Sequence, residues 1–343
     1  MNKIFAVTTR GLEAVSADEL ASLPGVTVEQ SGYRRVFASS QGSLTPLLSL
    51  QTVDDLFLYL DTWQGIERAR QTLNVLSYFS SQLDLGSALG IIRQIRTIPS
   101  LPTFSVTTNF VGKRNYNTNE IKQACASGVI QSHGWVYSED DAQADLNIRV
   151  FIEGDTAVVG VRLGARSLSR RAYKQEHVPG SLKPAVAAAL LRLAHVTADT
   201  RIVDPCCGAG TILIEAASQG VRGLGGDINQ EAVTAARLNM TQAGVNFHTQ
   251  RWDARALPLS NKSVDRIVSN LPWGRAVATE GSLPILYQEI RDEIERVLVP
   301  GGQVALLTNL PDLVIFKRLK CDKQVEISLF GQTPTITVWS DQL

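Results

Sequence analysis

The tetrapeptide Asn270-Leu271-Pro272-Trp273 closes an apolar run about sixty residues beyond a glycine-bearing loop. An Asn-x-Pro-aromatic sequence is suited to a flat ring that carries an exocyclic amine. The Asn side-chain oxygen and the next backbone carbonyl can accept both N–H protons of that amine. Pro272 fixes the turn, and Trp273 offers a face on which the ring can stack. Such an amine is a poor nucleophile because its lone pair delocalises into the ring. Holding both protons favours a pyramidal nitrogen, so orientation and electrostatics can drive methyl transfer to it without a covalent intermediate. The chemistry indicated is methylation of a nucleobase amino nitrogen, with Asn270, Leu271, Pro272 and Trp273 as the catalytic group. For Trp273 the plain alternative is a core or hinge aromatic.

A methyl donor needs its own site. Asp204-Pro205-Cys206-Cys207-Gly208-Ala209-Gly210-Thr211 follows a strand and opens a helix, Ile212–Ser218. Glycines there let the backbone approach a ligand at the helix N-terminus. Asp227 ends the next strand, where a carboxylate can accept both ribose hydroxyls of an adenosine cofactor. Asp253 ends the third, where an acid would hold the adenine amine. A dinucleotide site would require G-x-G-x-x-G, but Leu213 stands at the third position and an acid and a proline lead the loop. The expected cofactor is therefore S-adenosylmethionine, with Ser181, Asp204, Cys206, Gly208, Gly210, Thr211, Asp227, Ile228, Asp253, Ala254 and Asn270 around it. No histidine is placed to activate Cys206 or Cys207, so both are read as packing residues. Ser181 can also cap the helix that follows it and runs to Leu193, with Lys183-Pro184 in its first turn.

The elements that must position these groups change character along the chain. Residues 1–65 read as a small α+β unit with strands near Lys3–Thr9, Val26–Glu29, Tyr33–Ala38 and Asp55–Thr62. A second α+β unit runs from about 66 to 165. It has helices near Ile66–Phe79, Ser87–Ile98 and Thr118–Ser132, a strand Thr103–Asn109, and a hairpin pairing Leu146–Ile152 with Thr156–Leu163. Residues 166–180 form a linker. From 181 to 343 strands alternate with helices: Arg201–Asp204, Arg222–Asp227, Asn246–Trp252, Val264–Asn270 and Gln303–Thr308. Two final strands, Val325–Phe330 and Thr335–Ser340, have no helix between them. That order implies a doubly wound α/β sheet with one antiparallel member, seven strands in all.

The 343 residues carry 33 basic and 33 acidic side chains, so net charge is zero. A nucleic-acid partner must then rely on a local patch, and one is read between Arg162 and Lys183 (Arg162, Arg166, Arg170, Arg171, Lys174 and Lys183 against Glu176 alone). The four cysteines form no C-x-x-C pair and the four histidines are scattered, which gives no metal set. No signal peptide and no eighteen-residue apolar run is visible, so a soluble protein of the reducing cytoplasm is expected.

The segment Pro179-Gly180-Ser181-Leu182-Lys183-Pro184, the loop from Asp204 to Glu215 and Asn270-Leu271-Pro272-Trp273-Gly274 resemble the THUMP-containing RNA guanine-N2 methyltransferases. The nearest branch comprises the transfer-RNA enzymes that modify guanosine 6 in the acceptor stem. The resemblance implies a Rossmann-fold (class I) methyltransferase domain preceded by a ferredoxin-like domain (1–65) and a THUMP domain (66–165). The THUMP domain would grip the 3′ end of tRNA and present its stem to a monomeric enzyme. Lys113, Arg114 and Lys122 resemble the basic segment of such domains, with a solvated helix face as the alternative; Arg166, Arg170, Arg171 and Lys174 in the linker are further candidate phosphate contacts, with capping of the domain interface as the alternative. Ribosomal RNA guanine, adenine N6, a protein glutamine, or a role as a non-catalytic RNA-binding subunit remain open alternatives. Zero net charge and a sparsely basic THUMP helix depart from the family pattern.

Overall fold

The computed structural model describes residues 1–274 and 282–341. They fall into two compact units. One comprises Met1–Val7, Ala17–Leu50 and Asp54–Leu168; the other comprises Thr8–Ser16, Gln51–Val53 and the described residues from Ser169 onward.

The first unit is built on one eight-stranded sheet. Its strands are β1 (Asn2–Val7), β2 (Val26–Gly32), β3 (Arg35–Ser40), β4 (Asp55–Trp63), β5 (Thr103–Phe110), β6 (Val136–Tyr137), β7 (Leu146–Glu153) and β8 (Thr156–Arg162), in the order β2-β3-β1-β4-β8-β7-β5-β6. The β4–β8 pairing, Phe57 opposite Arg162 through Trp63 opposite Ala157, splices the strands of residues 1–65 onto those of 66–165. The hairpin forms as expected. Glu153 itself joins the ladder opposite Thr156, leaving Gly154 (φ +62°) and Asp155 as a two-residue turn.

The chain's first helix, α1 (Glu13–Ala21), is followed by α2 (Thr72–Ser81), α3 (Leu85–Ile92) and α4 (Thr118–His133). Asn117 and Glu120 close a capping box at the start of α4, and Gly134 ends it in the left-handed region. α2 starts later than its apolar spacing predicts, because the carbonyls of Ile66, Glu67 and Arg68, which a helix would bond within itself, accept instead from Arg114, the Tyr116 hydroxyl and Asn115 N–H. α3 starts earlier, at an Asp84 cap whose side chain accepts from Ser87 N–H.

The second unit is the doubly wound sheet expected: β9 (Arg201–Asp204), β10 (Arg222–Asp227), β11 (His248–Arg251), β12 (Val264–Asn270), β13 (Leu298–Thr308), β14 (Leu319–Glu326) and β15 (Thr335–Asp341), in the order β11-β10-β9-β12-β13-β15-β14. β15 alone runs against its neighbours. Helices α5 (Pro184–Leu193), α6 (Thr211–Ala217), α7 (Gln230–Ala243) and α8 (Leu283–Val297) pack on it. Two apolar cores result, one centred on α5 and α6, the other on α8. Leu12 and Val15 from the N-terminal segment join the first of these.

Sheet order reverses between β9 and β12. There the ladder is short, Ile202 opposite Arg266 and Val203 opposite Ile267, and such a switch point is where open α/β sheets place a ligand crevice. β14 corrects the expectation of a strand at Val325–Phe330. The strand lies earlier, and Lys320, Asp322, Lys323 and Gln324 are exposed along it because it is the sheet edge. Charge at an edge discourages strand addition and also hides the strand from an apolar-pattern reading. Among the described residues, no helix is long and apolar enough to cross a membrane.

Candidate functional site

The predicted site residues of the second unit gather at the C-terminal edge of its sheet. Asp204 ends β9 and is 1 % exposed. One of its oxygens accepts from the Ser269 hydroxyl (2.7 Å) and from Cys206 N–H (3.2 Å). Because the β9–β12 ladder has stopped by that point, the Asp204–Ser269 bond bridges the crevice. Burial pushes the Asp204 carboxyl up to about 7, and the nearby charge of Asp227 adds to the effect.

The loop after Asp204 is held by backbone bonds: Cys207 N–H to the Gly226 carbonyl (2.9 Å) and Gly210 N–H to the Cys207 carbonyl (2.8 Å). Gly210 has φ +79°, and a Cβ there would sit 3.1 Å from that of Ala236. Only glycine meets both conditions without displacement. Asp227 accepts from Gly208 N–H (3.0 Å) through one oxygen and from Asn229 N–H (3.0 Å) through the other. The carboxylate is thereby immobilised yet half-exposed, with lone pairs left for hydroxyl donors. Ile228 beside it is 55 % exposed, an apolar surface suited to the flat face of a purine. Asp253 stands at the next strand end, where a bidentate Arg255 contact (Nε to Oδ1 3.0 Å, Nη2 to Oδ2 2.7 Å) holds its carboxyl below the usual range. Ala254 is buried. Burial pushes the Cys206 and Cys207 thiols well above their ordinary range, in keeping with a packing role.

Asn270 ends β12. Its Nδ2 donates to the Gly180 carbonyl (3.2 Å), which fixes the amide's orientation. Its Oδ1 is buried and has no hydrogen-bond partner. A buried acceptor without a donor is costly, and such atoms cluster where a ligand completes the bonding. Leu271 is 2 % exposed and joins the α8-side core. Its N–H continues the β12–β13 ladder to the Leu307 carbonyl (3.0 Å). Trp273 is half-buried against the other core, with its indole N–H unpartnered.

Sequence reasoning missed four supports. The Tyr287 hydroxyl donates to the Pro272 carbonyl (3.0 Å) and meets the Thr308 hydroxyl at 2.6 Å, and Thr308 Oγ1 accepts from Leu310 N–H (3.0 Å). Tyr287 has one proton and Pro272 can only accept, so the Thr308 hydroxyl donates to Tyr287. Asn239, 1 % exposed, accepts from Gln175 and Glu176 N–H and donates to the Glu176 and Ala209 carbonyls. It ties the segment before Ser181 to the glycine loop. The Trp252 indole N–H donates to the Pro205 carbonyl (2.9 Å). Glu215, 2 % exposed, anchors Arg171 and Tyr173. The available signal was a polar side chain on an otherwise apolar helical stripe, as with Asn239 among Val233, Ala236 and Met240.

Several expectations are corrected. Ser181 does not cap α5. Its hydroxyl accepts from Val178 N–H (3.1 Å), and Lys183 is the cap residue, with Pro184 in the first turn. Arg171 is not a free phosphate contact but pairs with Glu215 (3.0 and 3.2 Å). Lys174 turns inward to the Leu182 carbonyl and Thr211 hydroxyl, and burial lowers its ammonium to about 8. Arg162 is buried between Asp55 and Asp141. Arg114 is committed to the carbonyls of Ile66, Glu67 and Gly154 and to the Tyr116 hydroxyl. A cation removed from water must be paired, so sequence proximity alone overstated the patch. Lys113, Arg166 and Arg170 are exposed, and Lys122 is half-buried. Among the described residues, no cluster of histidine, cysteine and carboxylate side chains could hold a metal ion.

A glycine loop, two acids and an Asn-x-Pro-aromatic turn on four adjacent parallel strand ends define the class: a Rossmann-type methyltransferase domain, here preceded by an α+β unit. Comparison with known proteins agrees. Residues 171–330 match the UPF0020 family, described as an RMKL-like methyltransferase domain, and residues 93–162 match the THUMP domain. The tRNA (guanine(6)-N2)-methyltransferase of Thermus thermophilus is 34 % identical over 220 residues, 62 % of this chain and 64 % of that protein. The tRNA (guanine(10)-N2)-dimethyltransferase of Methanothermobacter thermautotrophicus is 41 % identical over 130 residues, 37 % of this chain and 38 % of that protein. Each match thus spans under two thirds of the relative's length. The crystal structure of TrmN from Thermus thermophilus superposes over 100 % of both chains, with a TM-score of 0.80 and 27 % identity. Residues 171–330 thus carry a methyltransferase domain of the UPF0020 type, and residues 93–162 a THUMP domain.

Proposed function

We propose that the protein transfers a methyl group from S-adenosylmethionine to the exocyclic N2 of a guanosine in transfer RNA, at position 6 of the acceptor stem. The observation that carries this reading is the buried, unpartnered Asn270 Oδ1, its amide oriented by Gly180, next to a crevice lined by the glycine loop and Asp227. The residues fit the cofactor: Gly208 and Gly210 let the backbone close on it, Asp227 suits a ribose, and Ile228 and Asp253 suit an adenine. When bound, S-adenosylmethionine supplies an electrophilic methyl on its sulfonium sulfur. The chain's own work is orientation. Asn270 Oδ1 and the Leu271 carbonyl would take the two amine protons, and the exposed part of Trp273 would stack on a base withdrawn from its helix.

The tetrapeptide alone accepts any planar amine. The THUMP match supports an RNA substrate, and the guanine-N2 activity in both relatives' names supports the nucleobase. Those names differ in position, 6 and 10; the longer Thermus match favours 6. Residues 1–65 and 66–165 would act as the ferredoxin-like and THUMP parts of a monomeric cytoplasmic enzyme. The test is methyl transfer from labelled S-adenosylmethionine to unmodified total RNA, followed by mass spectrometry of the digested nucleosides. N2-methylguanosine in the transfer-RNA fraction is expected, and its loss on Asn270→Ala with cofactor binding retained. Methyladenosine as the product overturns the guanine assignment.

A further inference from the structure

The loop between β14 and β15 carries an aromatic side chain in an improbable position. Leu329 and Gln332 exchange both backbone hydrogen bonds (3.0 and 2.9 Å) around Phe330 and Gly331. Both central residues have positive φ, +53° and +74°. That is the two-residue turn in which Asn or Gly is favoured at each centre, and a bulky residue at the first is an outlier. Its ring is not compensated by packing: Phe330 is 57 % exposed. Backbone strain combined with an exposed large aromatic is the pattern found at functional positions.

The turn is rigidly held beside the site. Ser328 N–H donates to the Arg10 carbonyl (2.9 Å), Ile327 N–H to the Pro334 carbonyl (2.9 Å), and Asn309 Nδ2 to Gln332 Oε1 (3.3 Å). β15 begins opposite the last residue of β13, Thr335 beside Thr308, while Leu307 on β13 pairs with Asn270. The start of β15 therefore stands at the same sheet edge as Asn270, two strand spacings or roughly 10 Å along the sheet, and the turn projects beyond it at that edge. Asn309 Oδ1, between them, is a second buried acceptor at this edge with no partner.

We propose that Phe330 is a stacking platform for an unpaired nucleobase of the RNA, adjacent to the base that is methylated. The inference rests on the RNA reading above and adds a contact outside the reacting pocket. An aromatic ring on a fixed turn binds any base by its π-face, and it supplies grip without net positive charge, which this chain lacks.

The test compares wild type with Phe330→Gly, Phe330→Asn and Phe330→Trp on unmodified tRNA, measuring kcat/KM for RNA, affinity for S-adenosylmethionine and melting temperature. Gly and Asn suit positive φ, so both variants should melt at or above the wild-type temperature. They should also lose about tenfold or more in kcat/KM for RNA, with cofactor affinity unchanged, as loss of one stacked base implies. Phe330→Trp should retain most of the wild-type value. The proposal is overturned if Phe330→Gly stays within about twofold of wild type, or if Trp is as poor as Gly. Wild-type enzyme that makes no N2-methylguanosine on any tRNA removes the reading on which the proposal rests, an outcome distinct from either.

Discussion

Tyr287 shows how much of the site's accuracy resides in groups that touch no substrate. It is 0 % exposed, and burial pushes its phenol up to about 12, so it stays a neutral donor. Its bond to the Pro272 carbonyl commits that peptide, the one after Leu271, whose carbonyl is the second acceptor in the proposed reaction. Tyr287→Phe keeps the ring in the α8-side core but strands the Pro272 carbonyl and the Thr308 hydroxyl. Stability should fall by about 1–3 kcal/mol, the cost of a buried polar group left unpaired. Methyl transfer should fall by about tenfold while calorimetric affinity for the cofactor holds, because the glycine loop and Asp227 are untouched. Equal losses in cofactor binding and turnover would mean that Tyr287 supports the whole domain and not the base pocket. The residues that would touch ligands were legible in the sequence: Asp204, Gly208, Gly210, Asp227 and Asn270 come together where the strand–helix alternation puts them. Tyr287, Asn239 and Trp252 were not, because their value lies in partners distant along the chain.

At the scale of elements, local pattern succeeded where a local cause governs. The helix read at Thr118–Ser132, the hairpin of Leu146–Ile152 with Thr156–Leu163 and the strand β12 follow from a few neighbouring residues. It failed where tertiary context decides. The strand β14 was missed because its exposed positions at the sheet edge are polar, and the start of α2 was misplaced because residues 114–116, distant in sequence, take the carbonyls of Ile66, Glu67 and Arg68. The α2–α4 crossing is another such case. Gly128 reads as an indifferent helix residue, yet a Cβ there would run into the Ser77 carbonyl and the Ser80 side chain. Gly128→Ala gains helix propensity but must push the helices apart, so a net destabilisation of about 1–3 kcal/mol is expected. Denaturant titration measures it, and unchanged or greater stability would show that the crossing adjusts without cost.

At the scale of the molecule, balanced charge limits how the proposed RNA substrate could be held. With Arg114, Arg162, Arg171 and Lys174 engaged within the fold, Lys113, Arg166 and Arg170 are the exposed cations that survive from the sequence reading. Replacing Arg166 and Arg170 by Gln should weaken tRNA binding and make the slope of log affinity against log salt shallower by about two, one for each phosphate no longer neutralised. An unchanged slope would remove both arginines from the RNA-binding surface. Neither substitution should alter cofactor affinity.

The β4–β8 pairing also bears on how relatives of this protein can be recombined. A cut at residue 65 falls between strands that are hydrogen-bonded neighbours, so each half would carry a raw sheet edge. Grafting a different RNA preference onto this scaffold therefore means exchanging the eight strands as one cassette. The seam belongs near Leu168, and the small inserts Thr8–Ser16 and Gln51–Val53 must be matched to the catalytic half that receives them. The heritable module here is the continuous sheet.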